Sequence, residues 1–133
     1  MRCLSIHQPW AWAILHAGKN VENRFWSTRY RGPLLIHASK SPASYKAQNP
    51  DRWRERYGIE LPAWDHLVKG AIIGVIELVD CFHDSERVVV SAWTEGPWQW
   101  LLADPRPFPE PIPFRGLQQL FMVPDTLIPQ AFH

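Results

Sequence analysis

This sequence is short of the residues that mark most familiar chemistries. Cys3 and Cys81 are its only cysteines in 133 residues, too few and too scattered for a disulfide framework. No Cys-x-x-Cys, no histidine pair at helical metal spacing, no glycine-rich phosphate loop and no nucleophile-elbow serine occurs. Cys81, His83 and Asp84 stand too isolated to argue for a metal. Neither a metal nor a cofactor is therefore expected, and any activity has to come from a less conventional constellation. No apolar run approaches the length of a membrane span, and Met1 to Ile6 is too short and too soon polar for a signal peptide. The expectation is a soluble, cytoplasmic chain with no membrane partner.

Tryptophan and proline, by contrast, are abundant, at eight and thirteen residues. That composition suggests aromatic packing with long extended connections and disfavours an all-helical fold. The length suits one domain, residues 1–133, with a core that needs no disulfide or metal. The net charge of +1 hides an uneven distribution. Residues 1–70 hold eleven Lys and Arg against five Asp and Glu, whereas residues 71–133 hold three against eight. A basic and an acidic face could follow, and a polyanion would be a natural partner for the first; a solvated edge without a ligand stays open beside it.

Along the chain, Cys3 to Ile6 reads as a first strand. Trp10 to Ala17 reads as a helix opened by Pro9 and stopped by Gly18. That helix carries no Lys, Arg, Asp or Glu, so it is expected to be buried on most sides. Leu34 to Ser39 alternates as a strand and turns His37 toward one face, as a satisfied core histidine or as a ligand contact. A polar helical segment from Ser41 to Tyr57, broken near Asn49-Pro50, reads as a surface helix anchored by Tyr45, Trp53 and Tyr57. Ala63 to Val68 suggests a further helical turn. Ala71 to Cys81 is the most apolar strand and reads as central. Glu77 lies on its Val75–Val79 face and is expected to be buried, in need of Lys19, Arg24 or a backbone donor, as a supporting residue beneath the pocket. Trp98 to Ala103 and Leu117 to Val123 are further strands. The prolines at 105, 107, 109, 111 and 113 lack the three-residue repeat of a polyproline ligand and read as a rigid strap over the barrel.

The richest stretch is Lys19 to Trp26. As a strand, Val21 to Phe25 puts Glu22, Arg24 and Trp26 on one face. An acid, a forked guanidinium and an indole together suit a pocket for a planar polar ligand. Strict alternation sets Lys19 on the opposite face, so its meeting with Glu22 requires a turn or bulge after Gly18.

Three phrases, Leu4-Ser5-Ile6-His7-Gln8-Pro9-Trp10, Gly18 to Trp26 and Tyr30 to Ala38, resemble the ASCH domain family (activating signal cointegrator 1 homology) of the PUA-like superfamily. The similarity spans nearly the whole chain. Lys19, Glu22 and Arg24 satisfy its Gly-x-Lys-x-x-Glu-x-Arg motif, with Ala17 in place of the first glycine. The resemblance implies an α+β, PUA-like small β-barrel with flanking helices and a cleft between helix and barrel. It implies RNA binding or modified-base recognition, and in some branches hydrolysis. Lys19, Glu22 and Arg24 are then the candidate catalytic residues. Gln8, Trp10, Trp26, Thr28, Arg29, Arg31, His37, Ser39 and Lys40 are candidates for binding RNA or a nucleobase-like ligand, with Arg29, Arg31 and Lys40 meeting phosphates. One branch resembles an amidohydrolase that removes acyl groups from cytidine with a Lys-x-x-Thr pair and a glutamate. Here Glu22 occupies the threonine position, and a carboxylate can serve as a general base but not as that hydroxyl nucleophile. Another branch resembles ribonucleases, in which Lys19, Glu22 and Arg24 would divide the roles of phosphate stabiliser, base and anchor.

Overall fold

The computed structural model describes residues 1–133. Its strands are β1 (Arg2–Ile6), β2 (Val21–Arg24), β3 (Gly32–Ala38), β4 (Ala71–His83), β5 (Trp98–Pro113) and β6 (Leu120–Met122), with helices α1 (Trp10–His16), α2 (Ala43–Lys46) and α3 (Pro50–Tyr57). The six strands form one mixed sheet in the order β2-β5-β4-β3-β1-β6. Only β1 and β3 run parallel; the other pairs are antiparallel. The sheet curls into a half-barrel with flanking helices, an α+β fold. No helix is long and apolar enough to cross a membrane.

The uncharged α1 lies inside the curl. Ala11, Ile14 and Leu15 pack with Leu4, Ile6, Leu34, Ile36, Ile76 and Leu78 into the main core, while His16 stays exposed. Pro9 is the N-cap, one position earlier than the first turn. Gly18 ends the helix at φ +75°, a conformation that Cβ-bearing residues resist, and the Lys19 amide donates back to the Ala13 carbonyl at 3.1 Å. This reversal is the turn that strict alternation lacked.

A second apolar layer covers the other face of the sheet. Cys3, Leu35, Ile72 and Val75 pack there against Phe108, Phe121, Val123 and Ile128. Burial pushes the Cys3 thiol up to about 12, which leaves it protonated and inert. The layer stops short of Glu77. That side chain is only half-buried, opposite Pro33 and Ala103, and Val79 beyond it is exposed. The expected burial of Glu77 beneath the pocket is therefore corrected: it lines none of the cleft and is covered only in part.

The proline strap is corrected as well. Residues 104–113 continue β5 along β4, with Val75 opposite Arg106 and Ile72 opposite Ile112. The outer side of this half of β5 pairs with no strand, and there a missing N–H is tolerated. Just beyond its end the Phe114 N–H donates to the Gly70 carbonyl at 3.2 Å.

The two sequence halves interleave in space. Arg31 pairs with Asp80 at 2.9 Å and Arg56 with Glu95 at 2.8 Å, so much of the uneven charge cancels locally.

Candidate functional site

Between α1, the start of β2 and the loop before β5 lies a cleft of about 410 Å3. Its floor is an ion-pair relay. Lys19 is only 4% exposed. Its ammonium donates to the Val21 carbonyl and stands 3.6 Å from Glu22 Oε1. The other oxygen of Glu22 receives Arg24 Nη2 at 2.9 Å. Arg24 in turn donates from Nη2 to the Ser5 carbonyl at 3.0 Å, linking the edge strand β2 to β1 across the mouth of the curl. Its Nε has no protein partner and is shielded from solvent.

The alternation of β2 places Glu22 and Arg24 along this floor, and both line the cleft with Lys19, Trp10 and Trp26, the last from the bend after the strand. Burial lowers the Lys19 pKa from its ordinary value, against the opposing pull of Glu22. Two indoles tighten the enclosure: the ammonium lies 5.3 Å from the Trp10 ring centre and 5.8 Å from that of Trp93. A cation over such faces keeps some electrostatic stabilisation after losing water.

Sequence reasoning missed the far wall. Tyr57 stacks on Trp93 at 3.8 Å, Trp10 stacks on Trp53 at 5.2 Å, and Trp53 meets Trp93 at 5.8 Å. Asn23 holds this wall in place. Its amide donates to the Trp93 carbonyl and accepts from the Glu95 and Gly96 amides, each within 2.9 Å. Glu95 completes the rim. The lining thus carries Lys19 and Arg24 against Glu22 and Glu95, so the basic cleft expected from the sequence is charge-balanced and aromatic. Near the other end, Trp26 stands at right angles to Trp100, 4.8 Å away, and Phe25 is 90% exposed at the rim.

The remaining predicted residues lie elsewhere. Gln8 is buried and structural, accepting from the Trp12 amide and donating to the Val68 carbonyl, each at 2.9 Å. Thr28, Arg29 and Arg31 line neither the cleft nor its neighbours, and Arg31 is held by Asp80 and the Thr28 and Tyr30 carbonyls. His37, Ser39 and Lys40 line not the cleft but a depression further along the surface. His37 is a satisfied histidine, 3% exposed. Its Nε2 donates to the Phe114 carbonyl at 2.7 Å, and its Nδ1 accepts from the Ser5 hydroxyl at 2.8 Å. No three His, Cys, Asp or Glu side chains converge as a metal site would require.

Burial lowers the His37 pKa from 6.5, with the Phe114 bond opposing. The folded protein then takes up this proton at lower pH than the unfolded chain does. Its contribution to stability is full above about pH 6.5 and declines as pH falls below it. Urea unfolding is expected to shift to lower midpoints between about pH 7 and pH 5, and His37→Gln should flatten that stretch of the profile. A slope unchanged in the variant would assign it to other groups.

Comparison with known proteins gives this geometry a context. Residues 4–112 match the family model described as ASCH domain. Activating signal cointegrator 1 of Homo sapiens is 29% identical over 137 residues, covering 97% of this chain and 23% of that protein. The Mus musculus protein of the same name is 34% identical over 88 residues, covering 63% of this chain and 15% of the relative. The chain spans less than a quarter of the length of either relative. Among solved structures, the crystal structure of ASCH from Zymomonas mobilis superposes with a TM-score of 0.55 at 16% identity, covering 95% of this chain and 89% of that one. At that identity the superposition speaks for the fold alone. With its motif residues gathered on one cleft floor and the family model matched over most of its length, the chain belongs to the ASCH domain family, within the PUA-like superfamily.

Proposed function

We propose that the cleft binds a single unpaired base, presented by single-stranded RNA or by a modified nucleoside. The observation that carries this reading is the pairing of an aromatic wall with a preorganised polar floor. Trp10, Trp26, Tyr57 and Trp93 offer ring surface, while Arg24 brings a guanidinium fixed by Glu22 and the Ser5 carbonyl. Stacking supplies affinity for any base, and the polar floor and rim discriminate among base edges. Balanced charge in the lining favours a flat neutral ring over a bare polyanion.

Titration with nucleosides and short single-stranded RNAs tests it. Trp26→Ala is expected to weaken binding by about 1–3 kcal/mol, the usual worth of one stacked base. An affinity unaffected by this change, in a variant that unfolds as the wild type does, would remove Trp26 from the site. Absence of binding to every nucleoside and RNA would remove the reading itself.

The lowered Lys19 pKa supports a second reading, a hydrolase acting on RNA or on an acylated nucleoside. A buried lysine whose neutral amine is more accessible than usual can take a proton from an attacking water. Glu22 would orient it, and Arg24 would stabilise developing negative charge. The double pairing of Glu22 argues for that orienting role, because both of its oxygens are already engaged by Lys19 and Arg24. Incubation with RNAs and N-acylated nucleosides, with products resolved by mass, separates the readings. Product that is lost in Lys19→Met establishes catalysis, whereas binding without product leaves a reader.

A further inference from the structure

Two depressions continue the cleft along the outside of the half-barrel. The first shares Ser5, His7, Arg24 and Trp26 with it and adds residues 115–119. The second takes over at Ser5, Arg115 and Gly116 and runs on to Ser39, Lys40 and Gly70. Shared residues make the three one continuous path. Beyond the cleft its fixed charges are all of one sign: Arg24, Arg115 and Lys40 line it, and no Asp or Glu does.

Arg31, Arg54, Arg56 and Arg106 each lie within ion-pair distance of a carboxylate. Arg115 and Lys40 are exposed and make no ion pair. That alone does not set them apart, since the exposed Arg2, Arg29, Arg52 and Arg87 make none either; lining one shared path does. The backbone that carries Arg115 is anchored. His37 bonds the Phe114 carbonyl on one side and Ser5 on the other. A Cβ at Gly116 would stand 2.6 Å from His37 Cε1 and 2.8 Å from Ser5 Oγ, so the chain rests directly on that pair. The otherwise unexplained His37–Ser5 contact thus fixes the wall of the groove.

We propose that this groove carries the sugar–phosphate backbone of a single-stranded nucleic acid whose base occupies the cleft. Arg115 and Lys40 neutralise phosphates beyond the one nearest that base. This inference rests on the nucleobase reading above and adds a direction of travel to it. Of the phosphate contacts expected from the sequence it retains Lys40, and it puts Arg115 in place of Arg29 and Arg31. A phosphate chain suits the groove better than an acidic peptide does. The stretch is open and polar, with Trp26 and Leu117 the hydrophobic side chains of its first depression and a single hydrophobic residue lining its second, whereas a docked peptide needs apolar anchor pockets.

Salt dependence tests the proposal. Each phosphate contact on a single strand contributes about 0.7 to the slope of log affinity against log salt. The slope is measured for a mononucleotide, a trinucleotide and a hexanucleotide of RNA with the wild type, Arg115→Gln, Lys40→Gln and the double variant. Arg87→Gln provides the same change in net charge at an exposed residue that lines none of these pockets. The expected result is a wild-type slope that steepens with length. For the hexanucleotide it falls by about 0.7 in each single variant and about twice that in the double, with Arg87→Gln unchanged. A mononucleotide that binds while the hexanucleotide slope stays the same in the double variant overturns the groove and spares the cleft. Equal losses in Arg87→Gln, or polyglutamate competing as well as the hexanucleotide does, overturn it too. If the wild type binds none of the ligands, the nucleobase reading itself fails.

Discussion

Replacing Glu22 by alanine is expected to destabilise the protein by about 3–5 kcal/mol, because it leaves a buried lysine without its carboxylate. Lys19 has a carbonyl and two indole faces as its remaining company, and these replace neither water nor a counter-charge. The companion substitution separates the pair from its parts. Lys19→Met keeps the aliphatic length and removes the charge, so it should be much milder, since hydrophobic replacement of buried ions is often neutral. The double variant should recover a large part of the loss. Urea unfolding of all four proteins, read as a double-mutant cycle, gives the coupling. A loss below about 1 kcal/mol for Glu22→Ala, the scale of an exposed pair, would mean that the lysine escapes to solvent.

The pH dependence of that variant follows from the same burial. A lysine with a lowered pKa binds its proton less readily when folded than when unfolded. Stability tied to it is full above the ordinary 10.5 and is lost as pH falls through the folded value. Removing Glu22 takes away the largest opposing influence, so Glu22→Ala should regain stability on going from neutral toward alkaline pH, and by more than the wild type does. An equal response in the two proteins would show that Lys19 is not the group responsible.

Trp53→Ala is the second substitution with a large expected effect, again about 3–5 kcal/mol, from the cavity left by a buried indole. Trp53 is 2% exposed although it belongs to a helix of eight residues whose other faces are charged. It meets Trp10, Tyr57 and Trp93 and donates from its indole N–H to Gln48 at 2.9 Å. Trp10 and Ala13 of α1 and Trp93 of the cleft wall share this cluster, so collapse into the vacated volume would displace that wall. Weakened ligand binding and altered near-ultraviolet dichroism should accompany the loss of stability. Trp53→Phe keeps an aromatic pillar and should be milder in all three measurements. A Trp53→Ala protein that is destabilised yet binds normally would show that α3 supports the fold and not the cleft.

Much of this molecule was readable from local pattern. The uncharged run from Trp10 to His16 had to be buried, and it lies inside the curl. Asn49-Pro50 marked a break in the helical segment, and there α3 begins after α2 has ended, with Asn49 accepting from the amides of Asp51 and Arg52. Alternation from Val21 to Arg24 sorted Glu22 and Arg24 onto one face, and the cleft floor is made from that face. Glu77 shows where such reasoning stops. Its neighbours Val75 and Val79 are both apolar, but a covering layer exists over one and not over the other.

By itself, then, the sequence determined most of the elements, the family and the common face of Glu22 and Arg24, because each depends on residues within one turn or one strand of each other. Tertiary structure alone decided the rest. Asn23 reaches the Trp93 carbonyl across 70 positions, and His37 reaches that of Phe114 across 77. Tyr57, Glu95 and Arg115 therefore join the cleft and its groove through contacts that leave no periodicity behind. The charge of the site was decided the same way: Lys19 and Arg24 meet Glu22 from their own half, Glu95 from the other half joins the rim paired with Arg56, and Arg115, from the acidic half, lines the same depression as Lys40 from the basic one.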